Sequence, residues 1–214
     1  GIYKDVVAFD LKSLYPSIIV SFGLSPETII ESSEDKKRYP HAEIDNICFR
    51  QDIKGFLSEV IEHLFRERAK YKNLMARVAL DSDDYQLYYL RQLAIKTLLN
   101  ALYGQTAFPH ARIYSPKIAK TITYLGRQIN QFTRQQLENW NYKVLYSDTD
   151  SCSFIIDTVD SIGYINYIVQ LLNNSYNKFA SQYGISHHIL QIEFENIYRR
   201  IFFGQARKRY AGNV

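Results

Sequence analysis

Three acidic side chains stand where short apolar segments end. Asp10 closes Asp5–Val6–Val7–Ala8–Phe9–Asp10, while Asp148 and Asp150 flank Thr149 in Tyr146–Ser147–Asp148–Thr149–Asp150–Ser151. Residues two apart in an extended backbone project to one side, so the carboxylates of this turn can face a single point. Taken alone, the segment reads equally as an ordinary hairpin turn, because Asp and Ser suit turns for local reasons. Asp10 adds a third acid, and three carboxylates on neighbouring strands repel one another unless cations lie among them. Oxygen donors favour Mg²⁺, with Mn²⁺ as a substitute. Two such ions ~4 Å apart can activate an attacking hydroxyl and stabilise a leaving oxygen in phosphoryl transfer.

A second polar set lies on a helical pattern. Gln92, Lys96, Asn100 and Tyr103 fall at i, i+4, i+8 and i+11, one stripe of a helix. Arg68 and Lys72, spaced i, i+4, share a face of another. Either set alone also reads as solvated surface. Arg199, Arg200, Arg207, Lys208 and Arg209 gather near the C-terminus in a chain whose net charge is only +4. Such clustering suits a nucleic-acid partner better than the total charge does, although a solvated basic edge reads the same way. Cys48 and Cys152 are far apart with no CxxC spacing, and the adjacent His187 and His188 have no second ligand cluster. Neither a structural disulfide nor a zinc site is expected, and the usage fits a reducing compartment: cytoplasm, nucleoid or nucleus. No apolar run approaches the ~20 residues of a membrane span, so no membrane partner is expected.

The elements that must position these residues follow from periodicity. A buried strand leads to Asp10, and Pro16 suits the first turn of a helix over about Pro16–Phe22. Residues 24–53 read as loop with at most small strands. A long helix runs from Phe56 to about Leu80, Asp81–Asp84 form a turn and N-cap cluster, and a second helix covers roughly Tyr85–Leu102, stopped by Gly104. Together they predict an antiparallel helical hairpin. A helix near Pro116–Trp140 precedes strands at Tyr142–Tyr146 and Cys152–Asp157, then a helix over about Ser161–Tyr183 and strands near Leu190–Glu195 and Lys208–Ala211. With the helical hairpin set aside, the order is strand, helix, strand, strand, helix, strand. The expected fold is α+β: a ferredoxin-like (split βαβ) sheet with an inserted two-helix subdomain.

Several segments then resemble one family. Asp10–Leu11–Lys12–Ser13–Leu14–Tyr15–Pro16–Ser17–Ile18–Ile19 is similar to the DxxSLYPSII motif of family B DNA polymerases. Residues 146–151 look like their YGDTDS motif, with Ser for Gly at 147. Lys96–Gly104 resembles KxxxNSxYG, with Ala for Ser at 101, and Arg207–Lys208–Arg209–Tyr210 resembles KKRY, with Arg for Lys at 207. The resemblance implies a palm over 1–54 and 105–214 and fingers over 55–104. It implies that Asp10 and Asp150 bind two metal ions, Asp148 lies nearby on the primer side, and the Leu11 carbonyl ligates the nucleotide-side ion. Glu195, and after it Glu193, matches an acidic position beside the metals.

By the same resemblance, Lys96 meets the incoming triphosphate, while Asn100 and Tyr103 line the nascent base pair. Gly55–Phe56–Leu57 resembles the start of the first fingers helix, with Ser58 where Pro is common. Counting from it puts Arg68 and Lys72 on triphosphate-binding positions, Arg66 being the competitor if the register slips. The amides of Ser13 and Leu14 hold the triphosphate from the other side, and the Tyr15 ring excludes a 2′-hydroxyl. Gly104, Thr149 and Arg207–Tyr210 are carried over as contacts to primer-template DNA. The implied function is deoxynucleotide addition to a primer 3′ end. The exonuclease and thumb of such an enzyme are missing, leaving two alternatives: a non-catalytic polymerase-like DNA-binding subunit, or a fragment inactive without its thumb. The Asp–Thr–Asp spacing and the Lys96–Gly104 helix argue against a reverse transcriptase.

Overall fold

The computed structural model describes residues 1–156, 162–204 and 209–213. The chain is a mixture of helices and antiparallel sheet that divides into two compact units. One comprises Gly1–Leu14, Leu125–Gln182 and Leu190–Val214, and the other Tyr15–Tyr124 and Tyr183–Ile189.

The first unit is built on a five-stranded antiparallel sheet. Its strands are β1 (Ile2–Leu11), β5 (Val144–Asp148), β6 (Ser151–Ile155), β7 (Ile192–Phe203) and β8 (Tyr210–Asn213), in the order β5-β6-β1-β7-β8. The apolar run Val6–Val7–Ala8–Phe9 is buried throughout, as a central strand requires. Phe9 and Phe154 meet edge to face with centroids 5.0 Å apart. The helix α6 (Ile162–Ser181) buries Ile165, Ile168, Leu172 and Tyr176. The part of α5 (Pro116–Asn139) that belongs to this unit adds Ile129, Phe132 and Leu137. Tyr176 is fully buried, and its hydroxyl lies 2.8 Å from that of Thr133. The Thr133 hydroxyl also donates to the Ile129 carbonyl at 2.9 Å, so Tyr176 is the donor in the pair.

The strand expected to stop at Glu195 continues to Phe203 and pairs with β1 from end to end. The stretch Tyr198–Arg200 lies beyond the expected strand end. In the fold Arg199 and Arg200 are exposed on an otherwise paired strand, which costs them no solvation. The register shifts between Ala8 and Phe9: Ala8 faces Asn196 while Phe9 faces Phe194, leaving Glu195 as the extra residue of a β-bulge.

The second unit carries α1 (Leu14–Phe22) beyond its first residue, a three-stranded sheet, and two long helices. In the sheet, β2 (Ile29–Ile30), β4 (Ile47–Arg50) and β3 (His41–Ile44) lie in the order β2-β4-β3, with the short α2 (Ser33–Arg38) between β2 and β3. The helices α3 (Phe56–Met75) and α4 (Asp83–Ala107) are antiparallel: Tyr71 meets Tyr88 and Arg91, and Arg68 meets Gln92. The Ser82 hydroxyl accepts from Tyr85 N–H at 3.1 Å and starts α4, with Asp83 and Asp84 favourably placed in its first turn.

Both helices depart from the expected bounds. α3 ends at Met75 because Arg77 N–H turns back to the Leu74 carbonyl, three residues away at 3.1 Å, tightening the chain out of the α-helix. α4 passes straight through Gly104 and ends at Ala107. The true stop is Pro109, which drives Phe108 before it into an extended conformation with ψ 117°.

Candidate functional site

Cross-strand register organises the acids of the first unit. Asp148 lies opposite Ser151, Ser151 opposite Asp10, and Asp10 opposite Glu193. Directly opposed residues of antiparallel strands project to the same face, so Asp148, Asp10 and Glu193 form one row across the sheet end. At ~4.8 Å between strands, Asp10 and Asp148 are about 10 Å apart along that row. Asp150 completes the set from the two-residue turn between β5 and β6. Its carbonyl accepts from Leu11 N–H at 2.7 Å, which joins the two acidic segments by one short bond. The bulge at Glu195 re-aims that side chain, and Glu193 is the acid in register with Asp10.

The turn is braced from several sides. Tyr146 donates its hydroxyl to Asp148 Oδ2 at 3.1 Å, and Thr149 Oγ1 donates to Asp148 Oδ1 at 3.3 Å. Asn130 of α5 donates to the Thr149 carbonyl at 3.2 Å, while its own carbonyl oxygen accepts from the Ser147 hydroxyl. Ser147 therefore replaces the family's Gly with a side chain that has a partner. Sequence reasoning passed over Asn130 and Tyr146 as site residues. Asn130 carries no signal of its own, since only the packing of α5 on the hairpin brings it there.

Tyr210, expected at the primer, belongs to an aromatic cluster that reaches this turn. Its ring lies 5.9 Å from Phe203 and 6.0 Å from Tyr146, and Tyr146 stacks on Phe203 at 5.5 Å. Arg209 is exposed, and its carbonyl accepts from Gly204 N–H at 2.7 Å. Arg207 and Lys208 lie outside the described residues. Ser13 adopts a left-handed φ of 47° and leads straight into α1. A left-handed residue followed by helix aims successive amides to one side, the geometry of an anion-binding nest.

In chemistry the acids suit hard divalent cations, since their side chains offer oxygen alone. No three of their ligand atoms lie within 4.8 Å of one another. Among the described residues, the set of three ligating side chains with atoms all within 4.8 Å of one another is His41, Glu43 and Cys48 of the second unit.

The second unit brings its own polar stripe together. Gln92 is buried and accepts from Arg68 Nε at 3.4 Å, which fixes the guanidinium against α4. Arg66 instead pairs with Glu62 on α3 at 3.7 Å. Lys72, Lys96 and Asn100 are exposed. The rings of Tyr15 and Tyr103 are both half-buried and in contact, with centroids 4.6 Å apart and planes inclined at 49°. Two residues from separate motifs thus share one aromatic surface. Among the described residues, no helix is long and apolar enough to cross a membrane.

A family model described as DNA polymerase family B matches residues 1–214. Similar curated proteins include the DNA polymerase of Desulfurococcus sp. (strain Tok), 34% identical over 212 residues, and DNA polymerase 2 of Aeropyrum pernix, 30% identical over 215. These alignments take in 99% of this chain and 26% and 25% of the relatives. The solved structure of the family B DNA polymerase from the hyperthermophilic archaeon Pyrobaculum calidifontis is similar with a TM-score of 0.74 at 28% identity, over 99% of this chain and 26% of that one. The chain therefore spans about a quarter of the length of the relatives it matches.

Proposed function

The chain belongs to DNA polymerase family B, and on that premise we propose that it forms the palm and fingers of an enzyme that extends a DNA primer on a DNA template. The observation that carries this reading is the row Asp148–Ser151–Asp10–Glu193, with Asp150 tied to Leu11 beside it. The strand order β5-β6-β1-β7 with α5 and α6 as crossovers supports a split βαβ palm over 1–54 and 105–214. Residues 55–104, which hold the two antiparallel helices, are assigned to the fingers.

DNA polymerases of this family generally use divalent metal ions. Asp10, Asp150 and the Leu11 carbonyl are the proposed ligands of two Mg²⁺, with Asp148 on the primer side and Glu193 or Glu195 as flanking acids. When bound, the ions would supply positive charge that lowers the pKa of the primer hydroxyl and offsets charge on the leaving pyrophosphate. The primer 3′-oxygen forms a bond to the α-phosphorus of a deoxynucleoside triphosphate as the bond to pyrophosphate breaks.

Arg68, Lys72 and Lys96 are assigned to the triphosphate, with Gln92 orienting the Arg68 fork for bidentate contact. The Ser13 and Leu14 amides are assigned to the same group. Tyr15 and Tyr103, already in ring contact, would form the surface under the sugar and base, where the Tyr15 ring excludes a ribose 2′-hydroxyl. Asn100 lines the base pair. Gly104, Thr149, Arg209 and Tyr210, together with Arg207 and Lys208, are assigned to primer-template DNA through backbone contacts that carry no sequence preference. The exonuclease and thumb are expected elsewhere in the parent chain or in separate subunits.

Primer extension with Mg²⁺ by the full-length protein that carries this segment tests the reading. Asp150→Ala is expected to cut extension by at least ~10³-fold while gel-shift binding of primer-template persists. Extension that survives the change would sink the metal assignment. DNA binding without extension in the wild type would favour the non-catalytic subunit. Tyr15→Ala is expected to raise ribonucleotide incorporation, and an unchanged ratio would remove Tyr15 from sugar selection.

A further inference from the structure

The β3–β4 hairpin of the second unit holds a second group of potential ligands. Asp45 and Asn46 connect the strands with φ of 48° and 63°, the pair of left-handed residues a tight two-residue hairpin turn needs. The turn sets the register: Glu43 faces Cys48, and His41 faces Arg50. On β3, His41 and Glu43 alternate with buried Ala42 and Ile44, so they stand on the face that Cys48 shares. A ring nitrogen of His41, a carboxylate oxygen of Glu43 and Sγ of Cys48 all lie within 4.8 Å of one another. His41 Nδ1 is 2.9 Å from the Tyr39 carbonyl. A carbonyl only accepts, so the proton of the neutral ring is on Nδ1 and the lone pair is on Nε2. Backbone bonding at one ring nitrogen is the support a metal-ligating histidine ordinarily has at the other.

We propose that His41, Glu43 and Cys48 form a binding site for one Zn²⁺, separate from the acids of the palm. Nitrogen, sulfur and oxygen ligands together select a borderline-soft ion over Mg²⁺, and three protein ligands leave the fourth tetrahedral position to water. The cluster already attracts positive charge. The Lys36 ammonium lies within hydrogen-bonding reach of the Cys48 sulfur and close to Glu43. Arg50, the other cation on this face, is held by Asp52 at 2.6 and 2.9 Å and lies over the Tyr39 ring at 3.8 Å. Lys36 is thus the competitor that zinc displaces. The site would pin the two strands to each other across the Glu43–Cys48 pair.

Titration of the full chain with Co²⁺ as a probe tests the proposal, followed by Zn²⁺ competition. One equivalent of Co²⁺ is expected to give thiolate-to-metal charge-transfer absorption that Zn²⁺ abolishes and excess Mg²⁺ does not. Cys48→Ser should remove the band. His41→Gln, at a half-exposed position that spares the core, should weaken binding ~10–100-fold. Lys36→Met should tighten it. Absence of the band, or a band of equal affinity in both Cys48→Ser and His41→Gln, overturns the proposal. Should Cys48→Ser fail to fold, His41→Gln and Lys36→Met decide by the same criteria. Primer extension is unaffected by either outcome, so the polymerase reading stands or falls separately.

Discussion

Thr149 places a β-branched side chain at φ 51°, between the two acids of the β5–β6 turn. Left-handed backbone costs a non-glycine residue roughly 1–2 kcal/mol, and Asn tolerates it far better than Thr. Thr149→Asn is therefore expected to raise stability by about 1 kcal/mol, read as a higher urea midpoint at unchanged slope. A simultaneous loss of primer extension would show that the strain serves the site. At this scale the sequence was most legible where chemistry imposes residue type. Asp10, Asp148 and Asp150 declare themselves because acids at apolar strand ends need a reason to be there. Asn130 and Gln92 do not, since an amide on a helix looks like surface until its partner is known. The His41–Glu43–Cys48 group was hidden for a related reason: its ligands are split across a hairpin whose register no spacing rule reports.

At the scale of elements, the starts of helices rest on partners distant in sequence. Glu27 reaches the N-terminus of α3, where its carboxylate accepts from Phe56 N–H and from the Ser25 hydroxyl. Partial burial works against its charge, yet those bonds hold its pKa below the usual carboxylate value. A Cβ on Gly55, the N-cap itself, would stand 2.4 Å from the Ser25 Cβ, so only glycine fits. Ser58, at a position where the family favours Pro, is buried and donates to the Ile19 carbonyl at 3.3 Å. None of these links shows in the local sequence. Gly104 is the opposite case, a strong local signal that the fold overrides, because the helix runs on to Ala107 and is stopped by Pro109. A Cβ there meets nothing within 4 Å. Gly104→Ala is expected to stabilise the chain by roughly 0.5–1 kcal/mol in thermal unfolding. If the bare backbone at 104 serves DNA, the same variant will bind primer-template more weakly despite its higher Tm.

The molecule as a whole has an alkaline weakness built into its core. Burial pushes the Cys152 thiol from 9.0 to about 12, and raises the Tyr176 hydroxyl as well. Raised values in the folded state mean that the unfolded chain loses these protons first. Stability is therefore full below about pH 8.5 and falls as pH rises toward 12, at up to about 1.4 kcal/mol per pH unit for each group. Denaturant midpoints measured from pH 8 to 11 check this, with Cys152→Ala expected to flatten the lower part of the decline. The mixture of helices with an antiparallel sheet was legible at this scale because the order of strands and helices limits the topologies available. Which residues join into which compact unit was not, since the sheet unit gathers three separate stretches of chain.

β1 lies at the middle of its sheet, although its residues come first in the sequence, and that order has a cost during synthesis. Its neighbour β6 is made about 140 residues later, which at ribosomal rates is a wait of roughly 7–30 s. Until then Val6–Val7–Ala8–Phe9 offers two open strand edges on an apolar segment, a template for pairing with another nascent chain. The strand that carries Asp10 is thus a segment a chaperone would shield while the rest is being made.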